Sequence, residues 1–178
     1  MDLDYKLKEN DYLQMLLYFA KEDGKLKKEI IRSTTIRVGF LLLMSVLAYN
    51  GINDPFSYLF PVGIVFCLIF LPNILKNYCF KSYQKHTKAY KAYFDKDMNL
   101  KIDTEYVYQI RVDVEIKNRI STIDKVIETG RYFYIVFPIG LAIIPKDELE
   151  DVNQIKQELL ILSEKLKVNY KSDLDWKW

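Results

Sequence analysis

Histidine, cysteine and glycine are scarce in this chain of 178 residues, with one, two and six respectively. The single imidazole, His86, sits among Lys85, Thr87 and Lys88, so neither a Ser-His-Asp set nor an HExxH zinc motif can be assembled. The glycines stand singly, which excludes a glycine-rich phosphate loop or nucleotide turn. Cys67 and Cys79 are too few and too poorly spaced for a disulfide framework or a metal site, and they fit a reducing compartment. Charge of one sign is missing too: 26 Lys and Arg against 24 Asp and Glu leave +2, which argues against nucleic acid as a partner. Together these absences predict a protein that binds rather than catalyses, with no metal and no cofactor.

Charge is also absent locally. Between Val38 and Leu75 the only ionised side chain is Asp54, while both flanks are dense in Lys, Asp and Glu. Two apolar runs share this stretch, and each is read as a transmembrane helix. Ile36 to Ile52 spans about seventeen residues, roughly 25 Å of helix, short enough that Arg37 must snorkel. Pro55 to Leu75, about twenty-one residues, is a comfortable span even with Pro61 and Pro72 inside it. The turn formers Asn50-Gly51-Ile52-Asn53-Asp54-Pro55 predict a tight connection between antiparallel helices. Neither run places a strongly polar residue at mid-bilayer depth, so an ion path is not expected. Met1 to Leu7 carries acids and precedes the first long apolar run by a wide margin, which does not fit a cleavable signal peptide.

Lysine and arginine orient the pair. Six lie between Lys21 and Arg37, six more between Lys76 and Lys96, and the connecting loop has none, so the positive-inside rule predicts cytoplasmic termini. Tyr49, Phe56 and Tyr58 at the loop, with Tyr78, Phe80 and Tyr83 at the other end, suit interfacial anchors. The segment Asn73 to Lys96 holds six Lys against Asp95 alone and lacks Gly and Pro, which predicts a basic helix leaving the bilayer. Its Lys81, Lys85 and Lys88 are candidate contacts for anionic lipid headgroups.

The rest of the chain alternates. Leu3, Tyr5 and Leu7 recur at period two and predict a short strand, followed by a helix that Asn10 or Asp11 can cap, with Tyr12, Met15, Leu16 and Phe19 on its apolar face and Asp23-Gly24 at its end. From Lys25 a further helix should run into the first apolar segment. After Met98, segments 100–103, 106–112, 114–120, 123–129, 131–137 and 141–144 read as an antiparallel meander punctuated by Gly130 and by Pro138 to Gly140. Pro145 stops the last strand, Asp147 can cap a closing helix, and Val152, Ile155, Leu159, Leu162 and Leu166 form its apolar stripe. The neighbouring carboxylates Asp147, Glu148, Glu150 and Asp151 suit a helix start better than an acid-base pair. Lys146, between a rigid proline and that helix, is a candidate anion contact, its alternative being an ion pair with Glu148 or Glu150. The expected divisions are 1–35 for a cytoplasmic strand and helices, 36–75 for the hairpin, 76–97 for the basic helix and 98–178 for a β-rich domain.

The order of these features, with Ile123 to Ile127 before Tyr132-Phe133-Tyr134-Ile135 and then Ile143-Ile144-Pro145-Lys146 before the last helix, resembles the YcxB-like family of bacterial membrane proteins. Thr122 stands where that family often has a tryptophan. The resemblance covers nearly the whole chain and implies a two-span protein of the bacterial plasma membrane. Its cytoplasmic domain would be pleckstrin-homology-like, a bent antiparallel sheet capped by one helix, with no assigned chemistry. The expected function is a binding module at the inner membrane face, with the bilayer, anionic headgroups or another membrane protein as partners and the oligomeric state open. A self-protection factor against a bacteriocin or toxin, and an accessory subunit of a transporter, are the alternatives.

Overall fold

A computed structural model describes residues 1–48, 59–90, 94–111 and 114–178. The fold is α+β, with element order β1 (Asp2–Lys6), α1 (Glu9–Glu22), α2 (Lys25–Ala48), α3 (Leu59–Ala89), β2 (Asp97–Ile102), β3 (Tyr106–Arg111), β4 (Val114–Arg119), β5 (Lys125–Thr129), β6 (Tyr132–Val136), β7 (Leu141–Pro145), α4 (Val152–Leu166) and β8 (Asn169–Asp173). Two compact units result, one from Met1–Met15 and Thr87–Trp178, the other from Leu16–His86.

Among the described residues the first unit holds all eight strands, in two sheets instead of one meander: β1-β2-β3-β4, and β7-β6-β5-β8. The first sheet is antiparallel throughout and two-sided, as its alternation requires. Tyr5, Met98, Leu100 and Val107 are buried, whereas the other face carries a polar network. There Asn99 donates to Asp2 and Asp4 at 2.7 and 2.9 Å, Lys6 pairs with Asp97 at 3.5 Å, and the Lys117 ammonium stands 3.8 Å from the Tyr106 ring centroid. Asp103 closes the β2–β3 turn by accepting from the Glu105 and Tyr106 amides at 2.7 Å each. The pairing of β1 with β2 corrects the expected boundary at residue 98: the N-terminal strand belongs to the β-rich unit, and the helical segments are inserted between β1 and β2.

In the second sheet β5 and β6 are buried on both sides, which is why they read as apolar runs instead of an alternation. Pro145 sits at the end of edge strand β7, where a missing N–H costs no central ladder bond. Strand β8 was not anticipated. Its Asn-Tyr-Lys-Ser-Asp sequence carries little apolar signal, and it pairs parallel to β5, a long-range match that no local pattern encodes. Helix α4 makes that crossover. Asp151, not Asp147, caps it, accepting from the Asn153 and Gln154 amides at 2.9 Å each. Asp147 lies instead in a 3-10 turn, Lys146–Glu148. The buried stripe of α4 is Ile155, Leu159 and Ser163, with Leu162 and Leu166 half-buried. Lys167 ends the helix in the left-handed region at φ 57°.

Helix α1 begins at Glu9, and Asp11 caps it by reaching back to the Lys8 amide at 2.8 Å. Its buried apolar side chains are Leu13, Met15, Leu17, Tyr18 and Ala20; of the expected face Met15 is buried, while Tyr12, Leu16 and Phe19 are half-buried. Gly24 takes φ +66° between α1 and α2, the conformation that ends a helix at lowest cost for glycine.

Helix α2 runs unbroken from Lys25, and α3 continues through the basic segment as far as Ala89, short of the expected Lys96. Among the described residues no single helix is long and apolar enough to cross a membrane. The segments Ile64–Phe70 and Pro72–Ala89, set at 45°, reach that length and apolarity only together. Pro72 accounts for the bend, since it lacks an N–H and its ring crowds the carbonyl four residues back. In α2 the first half is polar, and its apolar part within the described residues runs only from Val38 to Ala48, roughly 16 Å. The proposed loop 50–55, Tyr49, Phe56, Tyr58 and Lys91 lie outside the described residues.

Candidate functional site

Lys146 occupies a built site as the partner of a buried carboxylate. Strand β7 and its terminal proline deliver Lys146 to the edge of the second sheet, where its ammonium donates to Glu128 Oε1 at 2.8 Å and stands 4.5 Å from the Phe133 ring centroid. Glu128, on central strand β5, is 3% exposed. Its other oxygen accepts from the Tyr170 hydroxyl of β8 at 2.9 Å and pairs with Lys156 of α4 at 3.0 Å. Burial alone opposes ionisation of this carboxyl. Hydrogen bonds from Lys146, Lys156 and Tyr170 outweigh that and hold it below the usual carboxylate range. The same burial, reinforced by the bond to Glu128, pushes the Tyr170 phenol up.

One carboxylate therefore ties β5 to the end of β7, to α4 and to β8. Of the expected partners of Lys146, Glu148 instead accepts from the Lys8 ammonium, which also lies 3.6 Å from Asp147. The helix start that was to share an anion with Lys146 is formed at Asp151, five residues on. Lys146 thus serves as a counter-ion within the fold. Glu128, Lys156 and Tyr170 escaped the reading of the chain because nothing in a strand such as Lys-Val-Ile-Glu-Thr marks its glutamate as buried. The only local hint is the apolar run around it.

A second buried carboxylate, Asp11, accepts from the Tyr132 hydroxyl at 2.9 Å in addition to the Lys8 amide. Burial raises this carboxyl above its usual range, with both hydrogen bonds opposing the shift. Burial, then the Asp11 charge, pushes the Tyr132 phenol up.

The other candidate contacts lie on α3. Lys81, Lys85 and Lys88 are all exposed and recur at i, i+4 and i+7, which places them on one face of that helix. His86 is exposed beside them. Upstream, the same helix and α2 carry large apolar side chains in the open: Phe40 is 61%, Val46 67%, Val62 65% and Ile69 59% exposed. At 100° per residue, the exposed apolar positions of each helix cover more than half of its circumference. Neither helix shows the single apolar stripe of a surface helix packed on a core. No group of His, Cys, Asp or Glu among the described residues could hold a metal ion. Compared with protein-family models, with curated proteins and with solved structures, the chain matches none.

Proposed function

We propose that α2 and α3 anchor this chain in a lipid bilayer and that its eight-stranded unit is a binding module held at the inner membrane face. The observation that carries the reading is the uncovered apolar surface of the two helices. Side chains such as Phe40, Val46, Val62 and Ile69 left in water would form a patch far larger than a monomeric soluble protein tolerates. Lipid removes that cost without any protein partner. The apolar part of α2 and the bent α3 would be the two arms of the hairpin. Lys81, Lys85 and Lys88 would then meet the anionic headgroups of the inner leaflet.

Binding is favoured over catalysis because the buried carboxylates are committed to the fold: Glu128 to two lysines and a tyrosine, Asp11 to a helix start and Tyr132. The resemblance to the YcxB-like family accords with this proposal through segment order alone, and a pleckstrin-homology-like unit of strands closed by α4 is part of it.

Membranes from cells expressing the chain provide the test. The protein should stay in the pellet after an alkaline carbonate wash and enter solution only with detergent. Release by carbonate alone would refute the anchor. A reporter that functions only outside the inner membrane should be silent after Trp178, and activity there would refute the orientation.

A further inference from the structure

The first sheet has one charge on its inner face. Arg111 stands opposite Met98 in the register, two residues from Gln109 on the same strand, so both side chains leave β3 on the buried side. Among the described residues Arg111 has neither an ion pair nor a side-chain hydrogen bond, and its Nε is buried without a partner. Gln109 is 5% exposed, and its amide likewise makes no hydrogen bond with any described residue. Proteins rarely leave such groups unsatisfied. Both residues nevertheless line a cavity of about 270 Å³.

The remaining walls of that cavity are mostly apolar: Leu7 and Met15 at the two ends of the α1 entry, Met98 on β2, and Leu141 and Ile143 on edge strand β7. Tyr12 adds a phenol at the wall, its ring 6.0 Å from that of Tyr90 and 5.7 Å from that of Phe94. Gly140, at φ +96°, turns the chain into β7 beside the opening and contributes no side chain. The Tyr12 phenol and the Tyr5 phenol both feel the guanidinium: burial raises Tyr5 and Tyr12, and in both the Arg111 charge opposes the rise. A donor fork, an amide and an apolar chamber therefore converge where no described carboxylate pairs with the guanidinium.

We propose that this cavity binds a small carboxylic acid with a short apolar body, its carboxylate on Arg111 and Gln109 and its hydrocarbon against Leu7, Met98 and Ile143. The planar guanidinium matches a carboxylate with two parallel hydrogen bonds, and the amide nitrogen of Gln109 supplies a further donor. The volume equals that of about nine liquid waters, which suits an acid of hexanoate size and excludes a long acyl chain. The proposal concerns the β-rich unit and holds whether or not α2 and α3 enter a membrane.

The full chain, purified in detergent, is titrated against carboxyl-labelled hexanoate by ¹³C NMR, with acetate and hexanol as the charge-only and tail-only controls. Saturable hexanoate binding is expected, with acetate and hexanol each at least tenfold weaker. Arg111→Met should weaken hexanoate at least tenfold, the value of one charge-assisted hydrogen bond, with Arg111→Lys in between. Gln109→Leu, which keeps the guanidinium, should weaken it at least threefold. Because Arg111 has no partner to lose among the described residues, the ligand-free Arg111→Met chain should melt no lower than the wild type, whereas a residue serving only the fold would lower it. Absent saturable binding, or equal binding by Arg111→Met and wild type, overturns the proposal. So does acetate or hexanol binding as tightly as hexanoate. Unfolding of Arg111→Met overturns it too, by making the guanidinium a structural group.

Discussion

Replacing Glu128 with Gln should cost more than any other single polar change in the β-rich unit. The carboxylate is 3% exposed and serves three donors. The amide can still accept from one, but it leaves Lys146, whose side chain is 13% exposed, without a counter-ion. Breaking a buried ion pair by removing one member costs about 3–5 kcal/mol. Lys156 is 37% exposed and can turn to water, so the lower end of that range applies. About 3 kcal/mol, at roughly 4 °C per kcal/mol for a unit of this size, lowers the melting temperature by about 12 °C.

Calorimetry of the detergent-solubilised chain at neutral pH reads the shift directly. If the stranded lysine is the main cost, adding Lys146→Met to Glu128→Gln should recover at least half of the loss. The sign with pH is also determined. A carboxyl held below its usual range contributes stability above the unfolded glutamate value, about 4.3, and loses it as pH falls through the lower folded value. The gap between wild type and Glu128→Gln should therefore be full at neutrality and close below about pH 4. A Glu128→Gln melt within about 2 °C of wild type at pH 7, or a gap unchanged at low pH, would refute the reasoning.

Three further outcomes follow from the same geometry. Leu159→Ala should destabilise the unit by about 2–5 kcal/mol in denaturant melts, and Leu162→Ala by less than half as much, because Leu159 is fully buried and Leu162 only half. Asp11 has the opposite pH sign to Glu128. Its carboxyl is raised by burial, so its contribution favours folding below the unfolded value and is lost as pH rises through the folded one, and Asp11→Asn should flatten the stability profile across the weakly acidic range. Changing Lys81, Lys85 and Lys88 singly to Gln should weaken association with anionic vesicles by up to about 1 kcal/mol each, with raised salt weakening the whole, and a salt-independent affinity would remove α3 from that role.

Patterns that repeat over one or two turns of chain were legible in the sequence. The alternation of Tyr106 to Arg111, the punctuation at Gly130, the stop at Pro145 and the spacing of Ile155 and Leu159 each arise from backbone geometry acting over a few residues, and the strands and helix stand within a few positions of where they were expected. The lack of charge from Val38 to Leu75 marked the long helices for the same reason. Only the tertiary structure decided which strands meet. Pairing of β1 with β2 closes a ladder across the whole helical insertion, and β8 joins β5 in parallel through a crossover, contacts whose partners are too distant for any local period to encode. The polar interior followed from those pairings. Glu128 became a buried junction because β7, α4 and β8 each bring it a donor, and Lys146, which looks open to an anion when read along the chain, is neutralised by a residue eighteen positions away. Arg111 has the reverse history. It reads as an ordinary polar position in an alternating strand, and the register turns it inward beside Met98, where its Nε is buried and no described residue supplies an acceptor.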